Sequence, residues 1–289
     1  MPHVIVLTNP TAGKGRGAQM RDEAIARFHV AGWSTTALTG GDAGESLSLA
    51  RLAVAERPDA LVVCGGDGMV NLGLQAAAGS GVPVGILPAG TGNDFARCFE
   101  LPLRDGAASA ARIIRGTPRR VDLARVGDRV FGTVLAAGFD AVVNERANRM
   151  RWPRGQMRYN LATVAELRTF RPLRYTLDLD GTERQLEAML VAVGNGPSFG
   201  GGLRITHGAE LDDGLLDVVV IKPVSRVELV RTYPKLFTGG HTSHPQYEHH
   251  RVRRVTIAAQ GIVGYADGER LGPLPLTVEC LPGAVQVIC

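Results

Sequence analysis

Short apolar runs alternate with helix-like stretches over residues 1–122 of the chain. Each run is short and continuous, and it is followed by a segment whose apolar residues have helical spacing. The four predicted strands are Val4–Leu7, Thr35–Leu38, Ala60–Val63 and Pro83–Leu87. The predicted helices are Gly17–Ala31, Ser46–Glu56, Leu72–Ala78, Asp94–Phe99 and Ala107–Arg115. Strands separated by helices are typical of a parallel α/β sheet.

The pattern becomes β-rich near Asp122 and stays so over residues 123–283. The strands predicted there are Val121–Val126, Arg129–Leu135, Tyr175–Asp180, Glu183–Val193, Leu216–Ile221, Val252–Ala258 and Leu276–Cys280. The pairs Gly127-Asp128 and Asp180-Gly181 are typical of hairpin turns. Only Tyr159–Thr169 and Val227–Phe237 have helical spacing in this half. The sequence therefore predicts two domains: an α/β domain over residues 1–122 and a β-rich, antiparallel one over residues 123–283.

Composition is that of a globular protein. The chain has 289 residues, of which 45% are hydrophobic and 21% charged. Its four cysteines form no CxxC pair, so we expect neither a zinc site nor a disulfide framework, and a reducing cytoplasm is the simplest setting. The start of the sequence lacks the features of a signal peptide, and no apolar run reaches the length of a membrane span.

The net charge of +4 and the pI of about 9.1 indicate either a polyanionic or anionic membrane partner or simply abundant arginine. Three segments concentrate the basic residues: Arg112–Arg120, Arg146–Arg158 and His249–Arg254. Aromatic residues, which single-strand nucleic-acid binders interleave with basic ones, make up only 5% of the chain. We therefore expect no nucleic-acid partner.

A glycine turn with one carboxylate, Gly65-Gly66-Asp67-Gly68, directly follows the apolar run Ala60–Val63. Glycines allow the backbone to come close to a bulky anion because no Cβ stands in the way. A helix-like stretch follows, so its free N–H groups would point at whatever the turn holds. The turn fits phosphate binding, and Asp67 adds either a metal ligand or a proton acceptor.

Two other predicted strands end in comparable turns. In the first, residues 9–15, Lys14 is either a phosphate contact or an ordinary surface lysine, and Walker spacing is absent. In the other, residues 87–97, Thr91 and Asn93 carry hydrogen-bond donors, while Asn93 or Asp94 also suits a helix N-cap. Parallel α/β sheets bind ligands at the carboxyl ends of their strands, where all three turns emerge. Together the turns predict a nucleotide site.

These motifs resemble the diacylglycerol kinase catalytic-domain family, which includes bacterial lipid kinases and sphingosine and ceramide kinases. The matching segments keep the family's order over nearly the whole chain: Asn9–Gly13, Gly65–Gly68, Pro88–Arg97, Asn195–Gly202, Ala209–Val218 and Ala266–Glu269. The resemblance implies a Rossmann-like, parallel α/β domain, similar to that of NAD kinases, followed by a sandwich-like β domain for the lipid. It also implies that residues 284–289 return to the first domain as a strand.

The activity implied by the resemblance is an ATP-dependent lipid kinase that uses Mg²⁺. The residues implied to hold the nucleotide are Asn9, Pro10, Thr11, Gly13, Lys14, Thr39, Gly65, Gly66, Asp67, Gly68, Asn71, Gly90, Thr91 and Asn93. Two positions depart from the family pattern: Met69 stands where a threonine is usual, and Leu72 where a glutamate is usual. Met69 removes a hydroxyl that could touch phosphate, so nucleotide affinity is the property that it calls into question.

The resemblance implies that Glu269 is the general base, since phosphoryl transfer to an alcohol requires a group that accepts the hydroxyl proton. From the residues alone, Asp267-Gly268-Glu269 is more typical of a solvated hairpin turn than of a catalytic base. Asp67 is the rival base. The resemblance further implies magnesium-binding positions at Glu210, Asp213 and Leu215, and a role for Asp122 in a magnesium–water network. The four histidines of residues 241–250 are interpreted as a solvated loop rather than a metal site.

The expected partner is a lipid at a membrane surface, met by a cytoplasmic protein that associates peripherally with the inner face. Basic stretches and Trp152, between Arg151 and Arg154, are candidates for contact with anionic headgroups. Two other functions remain open: an NAD-kinase-like enzyme, which shares the Gly-Gly-Asp-Gly turn, and a non-catalytic nucleotide or lipid sensor. Residues 93–97 and Asn9-Pro10 count against the first. The sequence decides neither which lipid is the acceptor nor whether the protein forms a homodimer.

Overall fold

The computed structural model describes residues 1–9, 12–150 and 171–289, together with Trp152, Leu161 and Ala165. The first part alternates strands and helices as the sequence predicts. Its strands are β1 His3–Thr8, β2 Ser34–Thr39, β3 Ala60–Gly65 and β4 Val84–Pro88. Its helices are α1 Ala12–Val30, α2 Ala43–Ala55, α3 Asp67–Ala77, α4 Asp94–Arg97 and α5 Gly106–Arg115.

These four strands are parallel and lie in the order β2-β1-β3-β4. Both faces of the sheet are buried, because alternate side chains of β3 enter different cores. Leu61 and Val63 pack with residues of α2 and α3, whereas Val62 packs with residues of α1 and α5. The continuous apolar runs seen in the sequence are thus those of a doubly covered parallel sheet.

The second half is β-rich, as predicted. Its strands are β5 Pro118–Val126, β6 Arg129–Phe131, β7 Val134–Gly138, β8 Leu173–Leu179, β9 Thr182–Ala188, β10 Leu190–Gly194, β11 Leu216–Ile221, β12 Tyr247–Val252, β13 Arg254–Ala258, β14 Val263–Ala266, β15 Glu269–Pro273 and β16 Leu276–Ile288. Two α-helices, α6 Phe139–Arg149 and α7 Arg226–Thr232, and two 3₁₀ helices, Tyr233–Phe237 and Gly240–Ser243, complete the described elements.

Several predicted boundaries were wrong. The runs predicted as single strands at Arg129–Leu135, Glu183–Val193 and Val252–Ala258 each contain two strands, because a short connection at residues 132–133, 189 or 253 passes the chain to the other sheet. Helix α6 and strands β14 and β15 were not predicted. The predicted helix Tyr159–Thr169 lies outside the described residues except for Leu161 and Ala165, and Arg151 and Arg154 also lie outside them.

The strands form two sheets that pack as a sandwich. One is a ten-stranded sheet whose main path is β2-β1-β3-β4-β16-β13-β8-β9, with β5 and β6 attached through β16. The other is antiparallel, in the order β12-β11-β10-β7-β14-β15. A shared core joins Leu177 and Val255 of the first sheet to Val191 and Val218 of the second. The expected fold class, a parallel α/β domain followed by a β-rich sandwich, is confirmed.

Strand β16 connects the two parts of the molecule. Its beginning pairs with β13, where Leu276 lies opposite Ile257, and its end runs parallel to β4, where Val287 lies opposite Val84. Residues 285–288 also pair with β5. The end of the described chain therefore extends the parallel sheet of the first part. No helix within the described ranges combines the length and apolar character needed to cross a bilayer.

Candidate active site

The glycine turns after β3 and β4 touch each other at the carboxyl edge of the parallel sheet. The N–H of Ala89 donates to the Gly65 carbonyl at 2.9 Å, and the Asn9 N–H donates to the Cys64 carbonyl at 3.1 Å. A Cβ on Gly90 would stand 2.4 Å from the Cα of Gly66. Glycine at position 90 is therefore required for the two turns to approach, which gives Gly90 a packing role.

Asn93 closes the second turn on itself. Its side-chain oxygen accepts the Gly90 N–H and its side-chain nitrogen donates to the Gly90 carbonyl, both at 2.9 Å. Asn93 has a φ of 54°, in the left-handed region that asparagine tolerates better than most residues. This closed loop leaves Thr91 exposed at its tip. Among the predicted nucleotide contacts of this loop, Thr91 faces solvent, whereas Asn93 is buried and closes the loop.

Asp67 is the first residue of α3, and its carboxylate holds the Asn93 turn. One oxygen accepts the Asn93 N–H at 2.7 Å and the other accepts the Asp94 N–H at 2.6 Å. Burial, with a smaller contribution from the nearby Asp94 carboxylate, raises the pKa of Asp67 to about 6. Gly66, the N-cap of α3, provides no side-chain cap, so the start of the helix keeps donors for an anion.

The Asp94 carboxylate also accepts backbone N–H groups, in this case from a loop of the second domain. Its two oxygens accept the N–H groups of Gly201 and Gly202, each at 2.8 Å. Gly200, Gly201 and Gly202 all have positive φ angles, of 63°, 87° and 108°. The glycine segment can therefore present consecutive N–H groups to one carboxylate. Burial raises the pKa of Asp94 despite these two hydrogen bonds.

Asp267 binds the loop between β6 and β7. Its carboxylate accepts the Gly132 N–H at 2.8 Å, the Thr133 N–H at 3.0 Å and the Thr133 hydroxyl at 2.5 Å. It also accepts the side-chain N–H of Asn71, in α3, at 3.2 Å. Asn71 is buried and donates as well to the Val130 carbonyl, so the structure places this predicted nucleotide contact at the junction of the domains.

Glu269 lies opposite the glycine turn of α3, and we name the space between them the cleft. It begins β15, two residues after the anchored Asp267, and its side chain is exposed. One carboxylate oxygen lies 3.8 Å from the position that a Cβ on Gly68 would occupy. The structure thus brings together the two predicted candidates for the base, Asp67 and Glu269, from distant parts of the chain. Glu269 is the one whose carboxylate faces open space.

The other predicted nucleotide positions are less closely grouped. Thr39 ends β2 at the same sheet edge and is exposed. Gly13 and Lys14 lie in the first turn of α1, with their side chains outside the described set, and Pro10 and Thr11 are outside it altogether. Asn9 ends the described part of that turn, where its backbone N–H donates to the Cys64 carbonyl.

Met69 packs below the turn rather than into the cleft. It is buried in the core between the sheet, α2 and α3, and a Cβ on Gly65 would come within 2.5 Å of its Cγ. Leu72 is half-buried against the same core. Both departures from the family pattern are therefore core positions. The position of Met69 does not support the expected loss of a phosphate-facing group.

The predicted magnesium positions do not form a side-chain cage. Asp122 is buried and accepts the N–H groups of Gly214 and Gly283, each at 2.7 Å, so it joins the acidic turn to β16. Asp213 pairs with Arg251 and accepts the Leu215 N–H. Glu210 is exposed. Among the described residues, no three His, Cys, Asp or Glu side chains are arranged to hold a metal ion. The side chains do not fit a preformed cation site, and the predicted site stays a prediction.

The histidine-rich segment is not a solvated loop. His241 is buried and its Nε2 lies 3.1 Å from the Ile205 carbonyl oxygen. Residues 247–252 form β12, in which His249 pairs with the buried Asp217 at 2.6 Å. The sequence interpretation of this segment was wrong, because alternation in β12 places His249 toward a buried carboxylate that lies far away in sequence.

An apolar cavity of about 360 Å³ lies on the outer face of the six-stranded sheet. Its floor includes Leu190 of β10 and Ile221 of β11, and the segment 229–236 covers it. Sequence reasoning missed this cavity. A signal was present, because β10 and β11 are apolar on both faces except at Asp217, as expected for strands that are covered on both sides.

The loop Phe199–Leu203 joins the cavity to the acidic cleft. Phe199 and Leu203 line the cavity, whereas Gly201 and Gly202 bind Asp94. Phe199 and Leu203 also hydrogen-bond each other through their backbones, which closes the loop. One five-residue loop therefore has an apolar side toward the cavity and a polar side toward the glycine turns.

The α/β part and the β-sandwich part of the chain each match a family model of two-domain kinases. Residues 3–126 match the family model of the diacylglycerol kinase catalytic domain. Residues 133–289 match that of the YegS C-terminal NAD kinase beta sandwich-like domain. The chain belongs to the diacylglycerol kinase family, as its motifs predict.

Relatives and solved structures agree with this assignment. A diacylglycerol kinase from Mycobacterium tuberculosis is 44% identical over 99% of this chain and 94% of the relative. One from Bacillus subtilis is 26% identical over 95% of this chain and 92% of the relative. The crystal structure of a diacylglycerol kinase from Bacillus anthracis has a TM-score of 0.76 at 22% identity, covering 99% of this chain and 96% of that one. The last comparison concerns the fold alone.

Proposed function

We propose that this protein is an ATP-dependent kinase that transfers the γ-phosphoryl group to the hydroxyl of a lipid such as diacylglycerol. The observation that carries the proposal is the loop Phe199–Leu203, which joins an apolar cavity to an acidic, glycine-lined cleft. A lipid acceptor needs this combination, because its acyl chain is apolar and its reacting hydroxyl must reach the nucleotide.

The nucleotide would lie along the turns at the carboxyl edge of the parallel sheet. Gly68 is exposed at the uncapped start of α3, and Thr91 is exposed at the tip of the neighbouring loop. Backbone N–H groups at a helix start attract phosphate oxygens, and the absence of a Cβ at Gly68 leaves room for them. A bound Mg²⁺ would neutralise charge on the phosphates, and its ligands would be mainly phosphate oxygens and water.

Glu269 is proposed as the base. Its exposed carboxylate faces the Gly68 side of the cleft, where it could accept the proton of an attacking hydroxyl. Asp67 is proposed as a positioning residue, because both of its oxygens already accept backbone N–H groups. Asp94 holds the glycine loop in the same way. The two aspartates would thus keep the phosphate-facing loops in place while Glu269 takes part in the transfer.

The cavity favours a lipid over NAD as the acceptor. Most of its lining side chains are apolar, including Val143, Leu190, Phe199, Leu203 and Ile205. The nucleoside of NAD would need hydrogen-bonding partners that such a lining does not supply. A non-catalytic sensor remains the second alternative, and the position of Glu269 beside the glycine turn argues for an enzyme.

The proposal is tested by incubating the protein with γ-labelled ATP, Mg²⁺ and separate acceptors: diacylglycerol, phosphatidylglycerol, a sphingoid base and NAD. We expect label in a lipid and not in NAD. Leu190→Trp should fill part of the cavity, and it should raise the KM for long-chain acceptors more than the KM for short-chain acceptors. The control is Gln185→Trp at an exposed position, which should leave both KM values unchanged. Label in NAD would overturn the proposal. Nucleotide binding without transfer to any acceptor would favour the sensor.

A further inference from the structure

An exposed apolar stripe follows the segment Ser225–Phe237, which comprises the cap of α7, the helix itself and the 3₁₀ helix after it; we name it the lid segment. Its exposed apolar residues are Val227, Val230, Tyr233 and Phe237, between 41% and 61% exposed. Spacings of three place Val227, Val230 and Tyr233 on one face of α7, and the Phe237 ring packs edge-on against the Tyr233 ring, with the ring centroids 6.0 Å apart. Four of the ten exposed large hydrophobic side chains in the described part of the chain thus lie within 11 residues.

The lid segment has an apolar inner face as well. Leu229, Pro234 and Leu236 line the cavity, together with the rim residues Val230 and Tyr233, which are also exposed. Neither α7 nor the 3₁₀ helix contains a buried residue. A helix that is apolar on two sides and buried on neither is incompletely covered by the protein itself. Solvent-exposed and cavity-lining apolar surfaces therefore meet at Val230 and Tyr233.

The unpaired charges around this stripe are of one sign. Arg226, Arg231 and Lys235 are exposed, and none of them forms an ion pair with another of the described residues. The acidic residue of the segment, Glu228, pairs with His244 at 3.0 Å and completes the capping box with Ser225. An apolar stripe flanked by unpaired cations is the surface expected of a helix that lies at an anionic membrane interface.

We propose that the lid segment docks on anionic phospholipid bilayers and that an acyl chain enters the cavity past Val230 and Tyr233. The proposal rests on the proposed function in one respect: the molecule that enters is taken to be the acceptor lipid. Val227 and Phe237 would insert among the lipids, the tyrosine ring would lie at the headgroup level, and the three cations would face anionic headgroups. Docking would place the cavity entrance directly against its lipid source.

The test uses variants that leave the cavity intact. Val227 and Phe237 do not line it, so Val227→Ser/Phe237→Ser removes stripe surface without removing a side chain that lines the cavity. Arg226→Gln/Arg231→Gln/Lys235→Gln removes the charge. The matched controls are Leu52→Ser, at a side chain 64% exposed on α2, and Arg51→Gln beside it. Binding to phosphatidylcholine–phosphatidylglycerol vesicles is measured by co-sedimentation without nucleotide, and thermal melting verifies that each variant is folded.

We expect each lid variant to lose about tenfold or more in vesicle affinity while both controls bind like the unaltered protein. The charge variant should bind phosphatidylcholine vesicles as the unaltered protein does. Phosphorylation of a dispersed short-chain acceptor should persist in the lid variants, and phosphorylation of a vesicle-borne acceptor should fall.

If folded lid variants bind anionic vesicles normally, docking by this surface is overturned. It is also overturned if they change only self-association, which would make a second copy of the chain the occupant. Absence of transfer to every acceptor would count against the proposed function, not against docking.

Discussion

The Asp67 carboxylate accepts the backbone N–H of Asp94 at 2.6 Å, so the two acidic residues of neighbouring motifs are joined through the backbone. The same relationship recurs along the cleft. Asp94 accepts N–H groups of the glycine loop at 201–202, and Asp267 accepts those of residues 132 and 133. Each carboxylate thus holds a loop from another part of the chain. For Asp67 and Asp94, burial raises the pKa, and protonation of either carboxylate would remove an oxygen that accepts a backbone N–H.

The pH dependence of the unfolding free energy should reveal the ionisation of Asp67. Its pKa is raised from 3.8 to about 6, so the folded state binds the proton more tightly than the unfolded state. Stability attributable to this group is therefore greatest below pH 4 and falls as pH rises toward 6. Activity should change in the opposite direction, rising through pH 6, because the ionised carboxylate holds both N–H groups.

Denaturant unfolding and kcat, each measured from pH 4.5 to 8, would test this expectation. Asp67→Asn should weaken the pH dependence of both quantities near pH 6. Asp128→Asn, in the exposed hairpin turn between β5 and β6, is the control and should keep the profile of the unaltered protein. An unchanged profile in Asp67→Asn would show that another group titrates there.

Two glycines of the cleft should respond differently to alanine. In Gly90→Ala the new Cβ would clash with the Gly66 backbone, and we expect a loss of about 1–3 kcal/mol in unfolding free energy. In Gly68→Ala the nearest atom is a Glu269 oxygen at 3.8 Å, so stability should change by less than about 1 kcal/mol. ATP affinity should nevertheless fall in Gly68→Ala if phosphate occupies this space. Denaturant titration and calorimetric nucleotide binding measure the two effects.

Glu269→Gln should remove catalysis without unfolding the protein. The side chain is exposed, so unfolding free energy should stay within about 0.5 kcal/mol of the original value. Loss of a general base typically lowers kcat by about 10²–10⁴-fold, and the KM for ATP should change little. Glu183→Gln, exposed on β9, is the matched control for steady-state kinetics. Full activity in Glu269→Gln would transfer the role of base to another group.

Met69→Thr should weaken the core rather than improve nucleotide binding. The substitution removes apolar atoms below the glycine turn and buries a hydroxyl, and we expect a loss of about 1–3 kcal/mol in stability. ATP affinity, measured by calorimetry, should be unchanged within about twofold. A clear gain in affinity with the family's usual threonine would mean that residue 69 reaches the phosphates after all.

Much of the fold was readable from local pattern. Runs such as Ala60–Val63, each followed by a glycine turn and a helical segment, were sufficient to predict a parallel sheet, because its strands are buried on both faces. Strand boundaries were less accurate in the β-rich half. At Met189 an apolar run continues without a break while the chain passes to the other sheet of the sandwich. Continuous hydrophobicity does not show which sheet a residue joins.

The candidate site divides in the same way. The sequence by itself determined which chemical groups are present: three turns at one sheet edge, carboxylates within the motifs, and Glu269 in an Asp-Gly-Glu segment. Only the tertiary structure decided which contacts each of these groups makes. It turned Asp67, Asp94 and Asp267 toward backbone N–H groups, placed Met69 in the core, left Glu269 open beside Gly68 and enclosed an apolar cavity next to the cleft. The physical reason is that turn chemistry and periodicity are local, whereas a hydrogen bond such as Asp94 to Gly201 joins residues 107 positions apart.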